Sequence, residues 1–231
     1  MEFVFQGVWQ AIQLIFSGDA EVLGAAWRSL WISTIAVTFA VVMGVPLGAC
    51  LGRRKFFGHR FVTQCFRTAI ALPTVFIGLV CYSLFARSGP LGPWDLLYTP
   101  WAIVLGEVML ALPIIVTLTQ GAVASLDERV GETSKTLGVG SIQRFRQYVS
   151  EAHVGIKLGV LTAFARCVTE LGIAMMVGGN LKGQTRTLST ATALETSKGE
   201  FETGMAMGLI LLMMAMLVTV AMSFFSDEES R

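Results

Sequence analysis

Charge is scarce in this sequence. Asp, Glu, Lys and Arg make up 14% of its 231 residues, where average soluble domains carry roughly a quarter. With 54% hydrophobic residues and long uncharged runs, that deficit excludes an ordinary water-soluble domain and indicates an integral membrane protein. Histidine is scarcer still. His59 and His153 stand alone, with no His-Glu-x-x-His motif or His/Cys cluster, so no metal site is expected. Cys50, Cys65, Cys81 and Cys167 fall in or beside apolar runs without Cys-x-x-Cys spacing. They read as small buried hydrophobes, neither disulfides nor ligands. There is no Gly-x-x-x-x-Gly-Lys-[Ser/Thr] loop, so the chain is not expected to bind ATP in that way. A net charge of +1 offers nothing to hold a nucleic acid. The opening MEFVFQGVW carries neither a basic leader nor a cleavage site, so no signal peptide is expected.

What is present is a series of apolar runs. In residues 1–18, Phe5, Val8, Trp9, Ile12, Ile15 and Phe16 recur at helical spacing. The run is too short to span and reads as a helix lying on the membrane surface. Asp19 and Glu21 mark a wet linker after it. Spans are expected at about 27–51, 61–86, 100–125, 158–177 and 203–225. Gly44, Pro46 and Gly48 soften the second half of the first. The expectation is an all-α polytopic membrane protein of five spans. Its parts are an N-terminal helix and linker at 1–22, a membrane domain at 23–226 and a tail at 227–231.

Lysine and arginine set the orientation. Arg53, Arg54, Lys55 and Arg60 follow the first span, and Arg129, Lys135, Arg144, Arg146 and Lys157 follow the third. The opposite loops hold Arg87, Lys182, Arg186 and Lys198. The richer side is expected to be cytoplasmic. That puts the N-terminus outside and places the loop 126–157 and the C-terminus inside.

Ionisable groups within spans are costly and usually have a task. Arg166 and Glu170, four residues apart, can face each other on the fourth span, with Glu107 as a third partner from span three. A polar gate and an internal ion pair that locks the bundle both fit. Pro73 and Pro113, each after Ala-Leu, are expected to break spans two and three. Two such breaks would line a passage near the hydroxyls of Thr74, Thr117 and Thr119; kinks for packing fit as well. Lys182 and Arg186, in a threonine-rich external loop, suit an anion leaving its carrier, or are simply solvated.

The longest polar, helix-prone stretch is ETSKTLGVGSIQRFRQYVSEA at 132–152. Acids early and Arg144 and Arg146 late agree with a helix dipole. Gly138 and Gly140 favour two short helices with a bend. This stretch resembles the cytoplasmic loop of ABC importer permeases, whose pattern is EAA, three residues, Gly, nine residues and I-x-LP. Glu132, Thr133 and Ser134 match EAA with small residues substituted for the alanines, and Gly138 holds the glycine place. Ser150 and Glu151 replace the Leu-Pro exit. ALPTVFIGLV at 71–80, RSGPLG at 87–92, AMMVGGN at 174–180 and TRTLSTATALETSKGEFE at 185–202 resemble the tungstate-importer branch of that family.

The resemblance implies a type I ABC transmembrane domain working as a homodimer in the cytoplasmic membrane. It implies two ATP-binding subunits, which hold the ATP and magnesium, and an extracytoplasmic binding protein that delivers tungstate. The chain itself would hold no cofactor and catalyse no covalent chemistry. Glu132, Thr133, Ser134, Gly138 and Val139 would meet the ATPase. Molybdate or sulfate through the same machine is the alternative. A secondary transporter driven by an ion gradient is the other class, and would usually show inverted repeats.

Overall fold

The computed structural model of the chain describes residues 8–9, 12–13, 17–127 and 139–227, with side chains to 220. Of the expected surface helix, residues 8–9 and 12–13 are helical, with Val8, Trp9 and Ile12 exposed. Residues 17–18 form a turn, and the remaining residues of 1–18 lie outside the described residues. So do Glu132, Thr133, Ser134 and Gly138 of the loop.

The described residues are all helical, without strands. Helix α1 runs Ala20–Arg53, begun by the Asp19 carboxylate, which accepts from the amides of Glu21 and Val22 at 2.9 and 3.0 Å. Its 34 residues reach about 51 Å, against a hydrocarbon layer of about 30 Å, so charged residues at both ends stand clear of it. Helix α2, His59–Ala69, and α3, Thr74–Phe85, meet at a bend of 101°. Helix α4, Pro100–Ala124, crosses through the centre. Helix α5, Ser141–Glu151, lies beyond it, and α6, His153–Val168, meets α7, Gly172–Gly178, at 55°. Helices α8, Leu188–Ser197, and α9, Phe201–Asp227, complete the chain.

Three helices, α1, α4 and α9, are each long and apolar enough to cross a membrane, and the two bent pairs raise the number to as many as five. The second span is therefore broken as expected at Pro73, and the fourth is broken where a continuous helix was expected. The physical cause of the first break is Pro73, which sits in extended conformation at φ −60°, ψ 129° just before α3, since proline removes an amide donor. The expected break at Pro113 is not found. Helix α4 runs unbroken through it, and Pro113 is buried. One missing hydrogen bond is tolerated where packed neighbours hold the helix.

The softening expected at Gly44, Pro46 and Gly48 is also absent, because α1 is continuous through all three. These glycines pack. Ala36, Ala40, Gly44, Gly48 and Gly52 recur every fourth residue and form one stripe against α4. Such stripes let membrane helices approach closely. A Cβ on Gly44 would lie 2.9 Å from Ile115, and one on Gly52 would lie 2.9 Å from Val123.

Candidate functional site

Three groups of polar residues stand out on this frame. The first joins the start of α1 to the turn that follows α7. Glu21, in the first turn of α1, pairs with Lys182 at 2.5 Å and with Arg186. Arg28 Nε donates to the Arg186 carbonyl at 2.7 Å, and Ser29 Oγ accepts the Leu188 amide at 3.0 Å. Arg186 also reaches the Asn180 side chain at 3.2 Å. The Lys182 ammonium, with the Arg186 guanidinium beside it, holds the Glu21 carboxyl below the ordinary carboxylate range. Lys182 and Arg186 are thus engaged by one carboxylate and do not stand as bare cations. Glu21, expected in a wet linker, is instead in the first turn of a helix capped by Asp19, and nothing local in the sequence ties it or Arg28 to a loop more than 150 residues away.

The turn that carries Lys182 is itself tightly built. Gly179 takes φ +67°, and an added Cβ would lie 2.7 Å from the Tyr98 ring, so only glycine fits there. The Thr185 hydroxyl donates to the Gly178 carbonyl at 2.5 Å and accepts the Leu181 amide at 2.9 Å. Thr187 and Thr190 cap α8 reciprocally, with Thr187 N on Thr190 Oγ1 at 3.0 Å. Replacing Glu21 by Gln removes the charge that gathers Lys182 and Arg186. Amide hydrogen exchange at 180–187 is expected to rise about threefold to tenfold, which exchange mass spectrometry of the purified protein would read.

The second group is at the other end. Arg53 Nη2 donates to the carbonyls of Leu126 and Asp127 at 3.2 and 3.3 Å, and its guanidinium lies 4.8 Å from the Tyr148 ring centre. This cation–π contact ties α5 to the ends of α1 and α4. Phe145, Tyr148 and Val149 pack against the core, whereas Ile142 is 74% exposed and Val139 half-buried. Arg53, at the end of α1, and α5, which carries Arg144 and Arg146, therefore lie at one end of the bundle, opposite the Glu21 cluster.

The third group lies within the spans. Arg166 Nη1 pairs with Glu170 Oε2 at 3.0 Å, as the spacing predicts. Glu170 Oε1 accepts the Ile173 amide at 3.1 Å and so secures the start of α7. Glu107 is buried close to Glu170 and Ser33. Its Oε2 and the Ser33 hydroxyl make no hydrogen bond, and no ion pair joins Glu107 to Arg166 among the described residues. Arg166, Glu170 and Thr74 line a cavity of about 430 Å³ with Val75, Thr169, Leu171, Gly172, Met175 and Met176. The cavity sits where the two helix breaks meet. A Cβ on Gly172 would be 2.8 Å from Thr74 Oγ1 and 3.0 Å from the Val75 nitrogen, so α3 begins directly against α7.

Pro73 borders this region as the residue before α3. Pro113, Thr117 and Thr119 do not join it. Thr119 is fully buried, and its Cβ would meet a side chain on Gly48 at 2.7 Å. The hydroxyls of Thr117 and Thr119 are buried without hydrogen-bond partners.

Comparison with known proteins shows the family. Residues 44–227 match the family described as binding-protein-dependent transport system inner membrane component. The tungstate uptake system permease protein TupB of Campylobacter jejuni is 36% identical, over 93% of this chain and 90% of its own length. TupB of Peptoclostridium acidaminophilum is 31% identical, over 99% and 100%. A probable anion ABC transporter permease protein of Haloferax volcanii is 37% identical, over 87% and 88%. Among solved structures, an inward-facing form of the MetNI methionine ABC transporter superposes with a TM-score of 0.72 at 18% identity, covering 91% of this chain and 94% of that one. This agrees with the all-helical type I importer architecture. The chain belongs to the family of binding-protein-dependent transport system inner membrane components, the permease subunits of ABC importers.

Proposed function

We propose that this permease carries tungstate inward across the cytoplasmic membrane, as one half of a homodimer. The observation that carries the reading is that two relatives at 31% and 36% identity, spanning nearly the whole chain, bear the tungstate name. In this reading two ATP-binding subunits hold ATP and magnesium and do the hydrolysis, and an extracytoplasmic binding protein delivers the anion. The N-terminus and the Glu21 cluster lie outside; the Arg53 end and the C-terminus lie inside. The excess of Lys and Arg at 53–60 and 129–157 supports that orientation.

The loop 126–157 is the coupling element. Glu132, Thr133, Ser134, Gly138 and Val139 form its contact with the ATPase, and α5 fastens it to the bundle through Arg53 and Tyr148. Pro73 and Thr74, at the first helix break, border the route. Pro113, Thr117 and Thr119 shape the central helix beside it. Tungstate and molybdate have nearly the same size and charge, so the choice between them lies mainly in the binding protein.

The deciding measurement is uptake into proteoliposomes containing the permease, its ATPase and its binding protein. Tungstate is expected to accumulate only with ATP, at least about tenfold faster than sulfate, a difference of about 1.4 kcal/mol. Preferential molybdate uptake would change the cargo and keep the class. Uptake driven by an ion gradient without the ATPase would overturn the class.

A further inference from the structure

Arg166 has more donors than its partner uses. A guanidinium carries five N–H groups, and Arg166 makes one side-chain ion pair, to Glu170. Its side chain remains 44% exposed and lines the cavity between the helix breaks. Glu170 is the opposite case. Its side chain is 1% exposed, with one oxygen on the Ile173 amide and the other on Arg166. The carboxylate is consumed by the protein, while the guanidinium presents spare donors to the space. A cation within a span that is only partly satisfied favours an anionic or polar visitor. Thr74 lines the same space from the first turn of α3, its Oγ1 beside Gly172, and Met175, Met176 and Val75 supply apolar walls.

We propose that this cavity is a transient station for a tetrahedral oxyanion on its way through the permease, held by Arg166 and the Thr74 hydroxyl. The inference rests on the oxyanion cargo proposed for the chain. Glu170 gives the station its weakness. It offsets part of the Arg166 charge, and a transport site must hold its ion loosely enough to release it. It also gives Arg166 a fixed place without filling the cavity. A role limited to locking the bundle needs only the ion pair, and leaves both the open cavity and the exposed guanidinium without purpose.

The test uses the complete transporter in proteoliposomes, with tungstate, molybdate and sulfate assayed in parallel. Arg166→Met with Glu170→Gln removes both charges and keeps an acceptor for the Ile173 amide. A purely structural pair predicts that this variant assembles and transports normally. The station predicts assembly, ATP hydrolysis still stimulated by loaded binding protein, and uptake lowered at least about tenfold through loss of charge-assisted hydrogen bonds. Arg166→Lys is expected to keep about a third of uptake, because it retains the charge and loses the planar fork. Thr74→Val leaves the ion pair intact and is expected to lower uptake about threefold, the effect of one neutral hydrogen bond. Wild-type uptake by the double variant overturns the station. Should the double variant not assemble, Thr74→Val decides, and wild-type uptake by it overturns the station equally. Wild-type transporter that carries molybdate and no tungstate overturns the cargo assignment alone, and the variants are then compared on molybdate.

Discussion

Gly48→Leu is expected to abolish the assembled permease. A Cβ at this position would lie 2.7 Å from the Val116 carbonyl oxygen and 2.7 Å from Thr119 Cβ. The first of these is backbone of the central helix and cannot turn aside as a side-chain end does. Overpacking a well-filled core costs about 1–3 kcal/mol and occasionally more. Here the clash falls in the middle of the stripe that joins α1 to α4, flanked by Gly44 and Gly52, so relieving it means separating the two helices. The yield of monodisperse protein in detergent should fall at least about tenfold, the equivalent of about 1.4 kcal/mol. Gly121→Ala is the control. No atom lies within 4 Å of a Cβ there, and alanine is the better helix former. Equal yields for the two variants would show that the stripe does not hold the helices together.

Gly138→Asp should leave the permease inserted and folded while separating ATP hydrolysis from transport. Gly138 lies outside the described residues, and the reasoning starts from its place in the loop pattern: glycine at a bend allows close approach or a positive φ. The flanking structure adds a second reason. The Arg53–Tyr148 contact and the Arg53 bonds to Leu126 and Asp127 fix both sides of the loop to the bundle, so a push on the loop reaches α1 and α4. A carboxylate at the contact would have to be buried unpaired against the ATPase, a change of about 2 kcal/mol or more. Tungstate uptake is expected to fall more than about tenfold. Membrane content of the variant should stay near wild type, and loaded binding protein should no longer stimulate hydrolysis. Uptake within twofold of wild type would remove Gly138 from the coupling contact.

Much of the architecture was legible in the sequence because its cause is local. An uncharged run of twenty residues spans a membrane whatever its neighbours are. A carboxylate and a guanidinium four residues apart on a helix share a face. The positions of five apolar segments follow from such rules; the Arg166–Glu170 pair keeps the four-residue spacing although Glu170 lies just past the end of α6. Proline was read half correctly. The same Ala-Leu-Pro triplet ends a helix at Pro73 and passes unnoticed through Pro113, because α4 is enclosed by packed neighbours and the start of α3 is not. The glycines at 44 and 48 were misread for the same reason. Alone they weaken a helix, but against α4 they permit contact.

The sequence by itself determined that this is an all-helical membrane protein, which end of the bundle carries the excess of basic residues, and which family its loop and flanking blocks resemble. Hydrophobicity, charge bias and short-range spacing are properties of neighbouring residues. The tertiary structure alone decided what meets what. It gave Glu21 its partners Lys182 and Arg186, separated from it by more than 150 residues. It set α3 against α7 beside an open cavity, and it left Arg166 exposed there while burying Glu170 in the cavity wall. Each of these depends on the angle and depth at which distant helices pack, which residue order along one helix does not specify.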